Sequence, residues 1–268
     1  MNVNAPTFDQ RVTEIERALA RATLYSVLAL GFRAPAENNV VRLVSPPDSR
    51  WMAEAATIFD PDATDELPGA VAALSNAGRV DIAVLSSSHV ALFGHTARGS
   101  VPPYETEYGN EALFQQPQEL SDLMGFYRAF GLTLKLGEYE RPDHISCECE
   151  FLSFLALKEA YALEHQQAEM LEETRKAHRL FLKDHLGRFL PTFARKLSRE
   201  DRGGFYAKLG DICLRIVTQE SARLNIAMGG FNLPLRPADD DRVPMACGSG
   251  TECTAMPGAC VPEDADSV

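Results

Sequence analysis

Two short stretches of this chain carry residue types that could do chemistry. The first, Pro102-Pro103-Tyr104-Glu105-Thr106-Glu107-Tyr108, sets two carboxylates among two phenol rings behind a pair of stiffening prolines. Such a loop suits recognition, because carboxylates neutralise a cation and tyrosine rings give contact area at little cost in side-chain entropy. The same composition also serves a loop tucked onto its own domain by its tyrosines. The second stretch, Arg141-Pro142-Asp143-His144, leads into a helical pattern. Asp143 at a helix start reads as a cap that satisfies free amides and suits the helix dipole. His144 falls in the first turn, where that dipole disfavours the imidazolium, and reads as a neighbour of the tyrosine loop or as a solvent-facing group. Asp143 and His144 could also form the acid-base pair of a nucleotide or small-molecule hydrolase, but sequence neighbours on a helix point about 100° apart, which is poor geometry for one substrate.

No glycine-rich phosphate loop, paired-histidine zinc helix or nucleophile elbow occurs in the sequence. Cys147 and Cys149 point to opposite sides of a helix, about 200° apart, and read as packing residues. Cys213 lies among Ile212, Leu214 and Ile216 and reads as core filling. His178 and His185 would share a face of a continuous helix; with no third ligand they read as two partly exposed histidines. Cys247, Cys253 and Cys260, with Met245 and Met256, could collect a soft metal ion, which gives a metal-delivery protein as one alternative. The plainer reading is a flexible tail with incidental thiols.

The elements that must position these residues are helices. Val12, Ile15, Leu19, Ala22 and Val27 recur at helical spacing and predict a helix over 8–32, with Thr7 as its cap and Gln10 at the capping-box position. Further helices are expected over 37–43, 51–59, 65–76 and 81–93, with Pro46-Pro47-Asp48 as a turn. Periodicity stops over 94–116, and long loops inside a compact domain are often functional. It resumes at Pro117 and runs to Gly131, then over 143–165, over 169–197 with a break at Gly187 or Pro191, and over 204–227, closed by Gly229 and Gly230. No run of alternating β-branched residues reads as a strand. The expectation is an all-α, single compact domain of about nine or ten helices over residues 1–231, followed by a flexible tail over 232–268.

Composition narrows the partner. Of 268 residues, 26 are Lys or Arg and 38 are Asp or Glu, a net charge of −12. That balance disfavours nucleic acid, which needs a surplus of cations, and suits a cationic partner. No stretch approaches the roughly 20 apolar residues of a membrane span, and charges of both signs run through the first residues where a signal peptide would be basic and then apolar. Six cysteines are too few for a disulfide scaffold. The chain reads as cytoplasmic.

Taken together, Leu92-Phe93-Gly94, the Pro-Pro-Tyr-Glu-Thr-Glu-Tyr loop, Gly125-Phe126-Tyr127-Arg128-Ala129-Phe130-Gly131-Leu132 and Arg141-Pro142-Asp143-His144-Ile145 resemble the TorD, DmsD and NarJ family of cytoplasmic maturation chaperones for molybdenum-containing oxidoreductases. The resemblance extends to Arg21, Tyr25 and Leu28, to Glu148, Glu150 and Phe151, to His185 and Leu186, and to Phe205 and Tyr206. It implies a non-enzymatic, all-helical chaperone that holds a catalytic subunit, often by its twin-arginine leader, until the molybdopterin cofactor is in place. That cofactor belongs to the client, and none is bound permanently by the chaperone. The tyrosine-rich loop is most similar to those of chaperones for dimethyl sulfide, ethylbenzene, selenate or chlorate-type enzymes. A leader with two arginines and an apolar stretch calls for carboxylates beside an apolar groove. Glu105, Glu107, Asp143 and Glu148 are the acidic candidates; Tyr25, Leu92, Phe93, Tyr104, Tyr108 and Phe126 are the lining; His144 and His185 complete the set. Two features depart from the family pattern: Arg141 stands where glutamate is common, and the cysteine-bearing tail has no counterpart. A monomer and a helix-exchanged dimer are both compatible with the resemblance.

Overall fold

Apolar side chains at helical spacing can leave water only by burying one stripe of each helix against the others. The computed structural model describes residues 8–61, 66–79, 81–94, 98–110, 115–134 and 141–237. Among these the chain forms ten α-helices and one 3₁₀ turn, with isolated bridges and no strand, as the periodicity predicts. The longest, α1 (Phe8–Phe32), buries Ala18, Ala22, Tyr25, Leu28, Ala29 and Phe32. Its alanines allow α7 (Ile145–Glu164) to approach closely, and Ser153 Oγ of α7 donates to the Ala22 carbonyl at 2.8 Å. After α2 (Glu37–Val44), α3 (Pro46–Phe59) also packs on α1, and α4 (Glu66–Ala77) packs on α3. The chain continues through α5 (Ile82–Phe93), the long loop and α6 (Gln115–Ala129) to α7, α8 (Ala168–Asp184), α9 (Leu186–Glu200) and α10 (Phe205–Leu224), which packs on α9 and α4. No helix among the described residues is long and apolar enough to cross a membrane.

Several boundaries differ from the sequence expectation, each for a local reason. Pro46 and Pro47 open α3 instead of forming a turn before it, because the first helical turn needs no amide donors; Ser45 caps it, accepting from the Asp48 amide at 3.3 Å. The cap of α7 is His144 and not Asp143. The break between α8 and α9 falls at His185, ahead of Gly187, which lets the corner close: a Cβ there would stand 2.3 Å from the Leu182 carbonyl. Asn225, in the left-handed conformation (φ 51°), ends α10 before the two glycines are reached. Thr7, Cys247, Cys253 and Cys260 lie outside the described residues.

Pro191 sits inside α9 and has no N–H for the carbonyl of Gly187. The Gly229 amide takes that carbonyl instead, at 2.9 Å. The segment after α10 thereby lies down on α9. Gly229 passes so close that a Cβ would stand 1.8 Å from the Arg188 carbonyl, and Thr192 Oγ1 both donates to the Gly230 carbonyl (2.8 Å) and accepts from the Leu233 amide (2.9 Å).

A loop clamped by internal arginines

The tyrosine loop leaves α5 through Gly94 (φ 88°) and is joined to the start of α7 by a short antiparallel bridge: the Glu105 amide donates to the Asp143 carbonyl at 2.8 Å and the Ile145 amide to the Pro103 carbonyl at 2.9 Å. Asp143 then caps the 3₁₀ turn (Glu105–Glu107), its Oδ2 accepting from the Thr106 amide (3.3 Å) and hydroxyl (2.7 Å). Its other partner is Arg141, which donates to both carboxylate oxygens at 3.0 and 2.8 Å and lies over the Tyr104 ring at 4.3 Å. Glu105 is buried against the corner between α8 and α9. There Arg188 donates to Oε1 at 2.8 Å, and His185 Nδ1 stands 3.1 Å from Oε2. Tyr108 points inward, its hydroxyl donating to the Pro102 carbonyl at 2.8 Å and its ring against Phe189.

The candidate residues divide by this geometry. Glu105, Tyr108, Asp143, His144, Glu148 and His185 converge under the loop, but all six are buried. Tyr25, Leu92 and Phe93 are core residues, and Tyr25 is bound through its hydroxyl to Glu220, on α10. The expectation that these nine line an open groove is corrected: the surrounding helices cover them. Tyr104, Glu107 and Phe126 are half-buried at the surface of the same region. Glu107 meets Arg98 at 3.0 Å, and Asp122, which is 64% exposed at its side chain, stands 3.3 Å from His185 Nε2. The arginines that these carboxylates face are the chain's own.

Burial sets the protonation of the site. His144, packed edge-on against Tyr104, has its pKa pushed down to about 3 by burial and by the nearby His89, Arg33 and Arg141. Its neutral Nδ1 accepts from the Ser146 amide at 3.1 Å. A histidine held neutral as a helix cap, beside an aspartate tied up by arginine, is not an acid-base pair. Glu148 is fully buried with neither carboxyl oxygen hydrogen-bonded, and burial, with Glu105 and Asp143 nearby, pushes its pKa well up. Burial thus favours the protonated carboxyl beneath the loop.

A second polar network lies in the helical body. Arg21 donates to Glu159 (2.5 Å) and Glu220 (3.1 Å), and His178 Nε2 stands 3.2 Å from Glu220. Although burial opposes its charge, Glu220 is held well below the usual carboxylate range by His178, Arg21 and Arg223. His178 and His185, expected to be partly exposed, are both buried. The sequence signal for this network was a charge inside an apolar stripe: Arg21 shares the buried face of Ala18, Ala22 and Tyr25. Arg188, Arg236 and Glu119, which complete the loop clamp, carried no such signal.

The helical body, the bridged Pro-Pro-Tyr loop and the Pro-Asp-His helix start define a class. A family model described as the nitrate reductase delta subunit matches residues 59–195, and the chain belongs to this family, which includes TorD and NarJ. Among curated relatives, the selenate reductase assembly chaperone protein of Thauera selenatis is 32% identical over 181 residues, covering 66% of this chain and 88% of that protein. The perchlorate reductase assembly chaperone protein of Dechloromonas aromatica is 30% identical over 217 residues, covering 78% and 92%. Chaperone protein TorD of Vibrio cholerae is 28% identical over 138 residues, covering 51% and 60%.

Proposed function

We propose that this chain is an assembly chaperone for a molybdenum-containing reductase, acting in the cytoplasm on the catalytic subunit before export or assembly. It holds that subunit, in part through a twin-arginine leader, while the molybdopterin cofactor enters the client. The observation that carries the reading is similarity to the perchlorate reductase assembly chaperone over 78% of this chain. The geometry agrees in kind, since a region already built to seat arginines against carboxylates and tyrosines suits an arginine-bearing partner.

Magnitudes divide the work between leader and enzyme body. Burying a large apolar side chain contributes about 1.5–3 kcal/mol, while association costs roughly 4–15 kcal/mol and micromolar binding needs about −8 kcal/mol net. Three or four leader side chains therefore bind weakly to moderately, and tight holding requires the body of the cofactor-free subunit. Co-purification of a tagged chain with the catalytic subunit of a molybdenum-containing reductase from the same organism, with and without its leader, tests this. Retention of both forms, the leaderless one more weakly, is expected. A leaderless subunit held no better than an unrelated protein would refute the role of the body, and no retention of either form would refute the chaperone reading. The metal-delivery alternative rests on Cys247, Cys253 and Cys260, and metal content before and after removal of residues 237–268 tests it.

A further inference from the structure

The segment that follows α10 is bound across the face of the tyrosine loop in a way that defines a receptor. At its end the Arg236 amide donates to the Glu107 carbonyl and the Gly109 amide donates to the Pro234 carbonyl, each at 2.9 Å, forming a bridge that pairs Leu235 with Tyr108. Backbone pairing of this kind accepts almost any extended segment, and the side chains choose among them. The choosing element is a notch for a guanidinium. Arg236 is 4% exposed; it donates to Glu119 at 2.9 and 3.1 Å, to the Thr106 carbonyl at 2.7 Å and to the Asn110 carbonyl at 3.2 Å. A planar fork with several fixed donors fills these acceptors, whereas a lysine ammonium has three donors and no fork. Leu233 and Leu235 pack against the core beside it.

The pairing is also built to stay short. Pro234 has no amide to donate to the Gly109 carbonyl, which would be the next bond of the ladder, and the Glu107 amide is taken by the Tyr104 carbonyl at 3.1 Å. Outside the notch, this end of the segment is held by Arg98, which donates to the Arg236 carbonyl at 2.7 Å. One bridge, one guanidinium and two leucines form a contact that another extended segment of the same chemistry can replace.

We propose that this groove, lined by Thr106, Glu107, Tyr108, Asn110 and Glu119, is a docking site for an extended arginine-and-leucine segment of a partner protein, with the chain's own residues 232–236 as its resident surrogate. The identification of that partner segment with the client's twin-arginine leader rests on the chaperone reading. The surrogate is tethered, so its effective concentration is of the order of millimolar, and a partner segment must displace it. Freeing the notch therefore strengthens binding of the partner, the opposite of what removal of a structural arginine would do.

The test uses the full chain and two labelled probes, a peptide copying residues 230–236 and a twin-arginine leader peptide, read by fluorescence polarisation. Arg236→Ala is expected to bind both at least tenfold more tightly than the unaltered chain, and the copy peptide with its arginine replaced by alanine is expected to lose that gain. Arg236→Lys, which keeps the charge and loses the fork, falls between, and circular dichroism checks that the helices of each variant persist. Amide exchange at Arg236 in the unaltered chain should accelerate on adding the leader peptide, while the Gly109 amide, re-paired with the incoming segment, stays protected. Equal or weaker leader binding by folded Arg236→Ala, or equal binding of the copy peptide lacking arginine, overturns the proposal. Because these arms need only peptides and the purified chain, their failure is distinct from a failure to co-purify a reductase subunit, which bears on the chaperone reading.

Discussion

Two of the arginine–carboxylate networks among the described residues have different supports. In the helical body, Arg21, Glu159, His178 and Glu220 come from the interiors of α1, α7, α8 and α10, and all four are buried. Around the tyrosine loop, Arg98, Arg141, Arg188 and Arg236 meet Glu107, Asp143, Glu105 and Glu119, and the acceptors include backbone carbonyls of a loop. Three of these arginines keep water contact, with side chains 24%, 42% and 27% exposed for Arg98, Arg141 and Arg188. The body network can open only if helices part. The loop network can exchange one guanidinium for another without disturbing the helices, which is what a binding region for arginine requires.

This contrast sets the size of the mutational effects. Arg21→Met takes from Glu159 its buried partner and from Glu220 one of its buried partners, and breaking such a pair costs about 3–5 kcal/mol. Arg188→Met removes a partner from Glu105, but water can reach the gap and the expected loss is about 1–2 kcal/mol. Urea denaturation of the two variants measures the difference. Equal losses would mean that the loop clamp is as much a part of the folded body as the helix network is.

Acid separates the two regions further. The folded His144 has a pKa of about 3, against an ordinary value of about 6.5. Its contribution is therefore complete above pH 6.5 and is lost as pH falls towards 3, by about 1.4 kcal/mol per unit at most. Glu220, depressed by its cationic neighbours, keeps its contribution until pH falls through the normal carboxylate range and below. The loop end should loosen first: near-ultraviolet dichroism of the tyrosines is expected to fade at a higher pH than far-ultraviolet helix signal. Coincident transitions would place both networks in one cooperative unit.

Glu148→Gln gives a smaller effect of opposite sign. With its folded pKa raised, the unfolded chain releases the proton first, so Glu148 lowers stability as pH rises above about 4.5. A glutamine keeps the shape and removes that slope. The variant should be at least as stable as the unaltered chain at pH 7, and a clear loss there would mean that the carboxylate form is needed.

How much of this was legible beforehand follows from what each residue answers to. Helix existence was legible because α1, α5 and α10 are written in apolar periodicity that packing only confirms. The loop and the Pro-Asp-His segment were legible as a pair, but not the direction their side chains take. Asp143 was read as the cap of α7 and instead caps the 3₁₀ turn across the bridge, a role set by Thr106, far away in sequence. Glu105 was read as a carboxylate for a partner's arginines; its burial depends on Arg188 and His185 at a helix corner that periodicity placed slightly too late. Residues 232–236 were read with the tail from their prolines, yet Thr192 and the loop hold them, and the segment leading to them is tied down at Gly229 by the Gly187 carbonyl that Pro191 leaves free.

The finest test of the contrast lies at its exposed edge. Asp143 and Glu105, which the sequence suggested as leader-binding carboxylates, are poor probes, because neutralising either disturbs the clamp that shapes the loop. Glu107 and Asp122 are better placed: Glu107 is half-buried against Arg98 and Asp122 is 64% exposed at its side chain. Substitutions at such sites change stability by about 0.5 kcal/mol or less. If the loop region receives a partner's arginines, Glu107→Gln and Asp122→Asn should each weaken leader-peptide binding about fivefold, the equivalent of one modest ion pair of about 1 kcal/mol, with the midpoint of urea unfolding unchanged. Calorimetry at two salt concentrations sharpens the result, since an interaction at this edge is screened over about 8 Å at physiological salt and the difference between variant and unaltered chain should shrink as salt rises. Unchanged affinity in both variants, with folding intact, would move the partner's arginines off this surface and leave the clamp as a device for holding the loop alone.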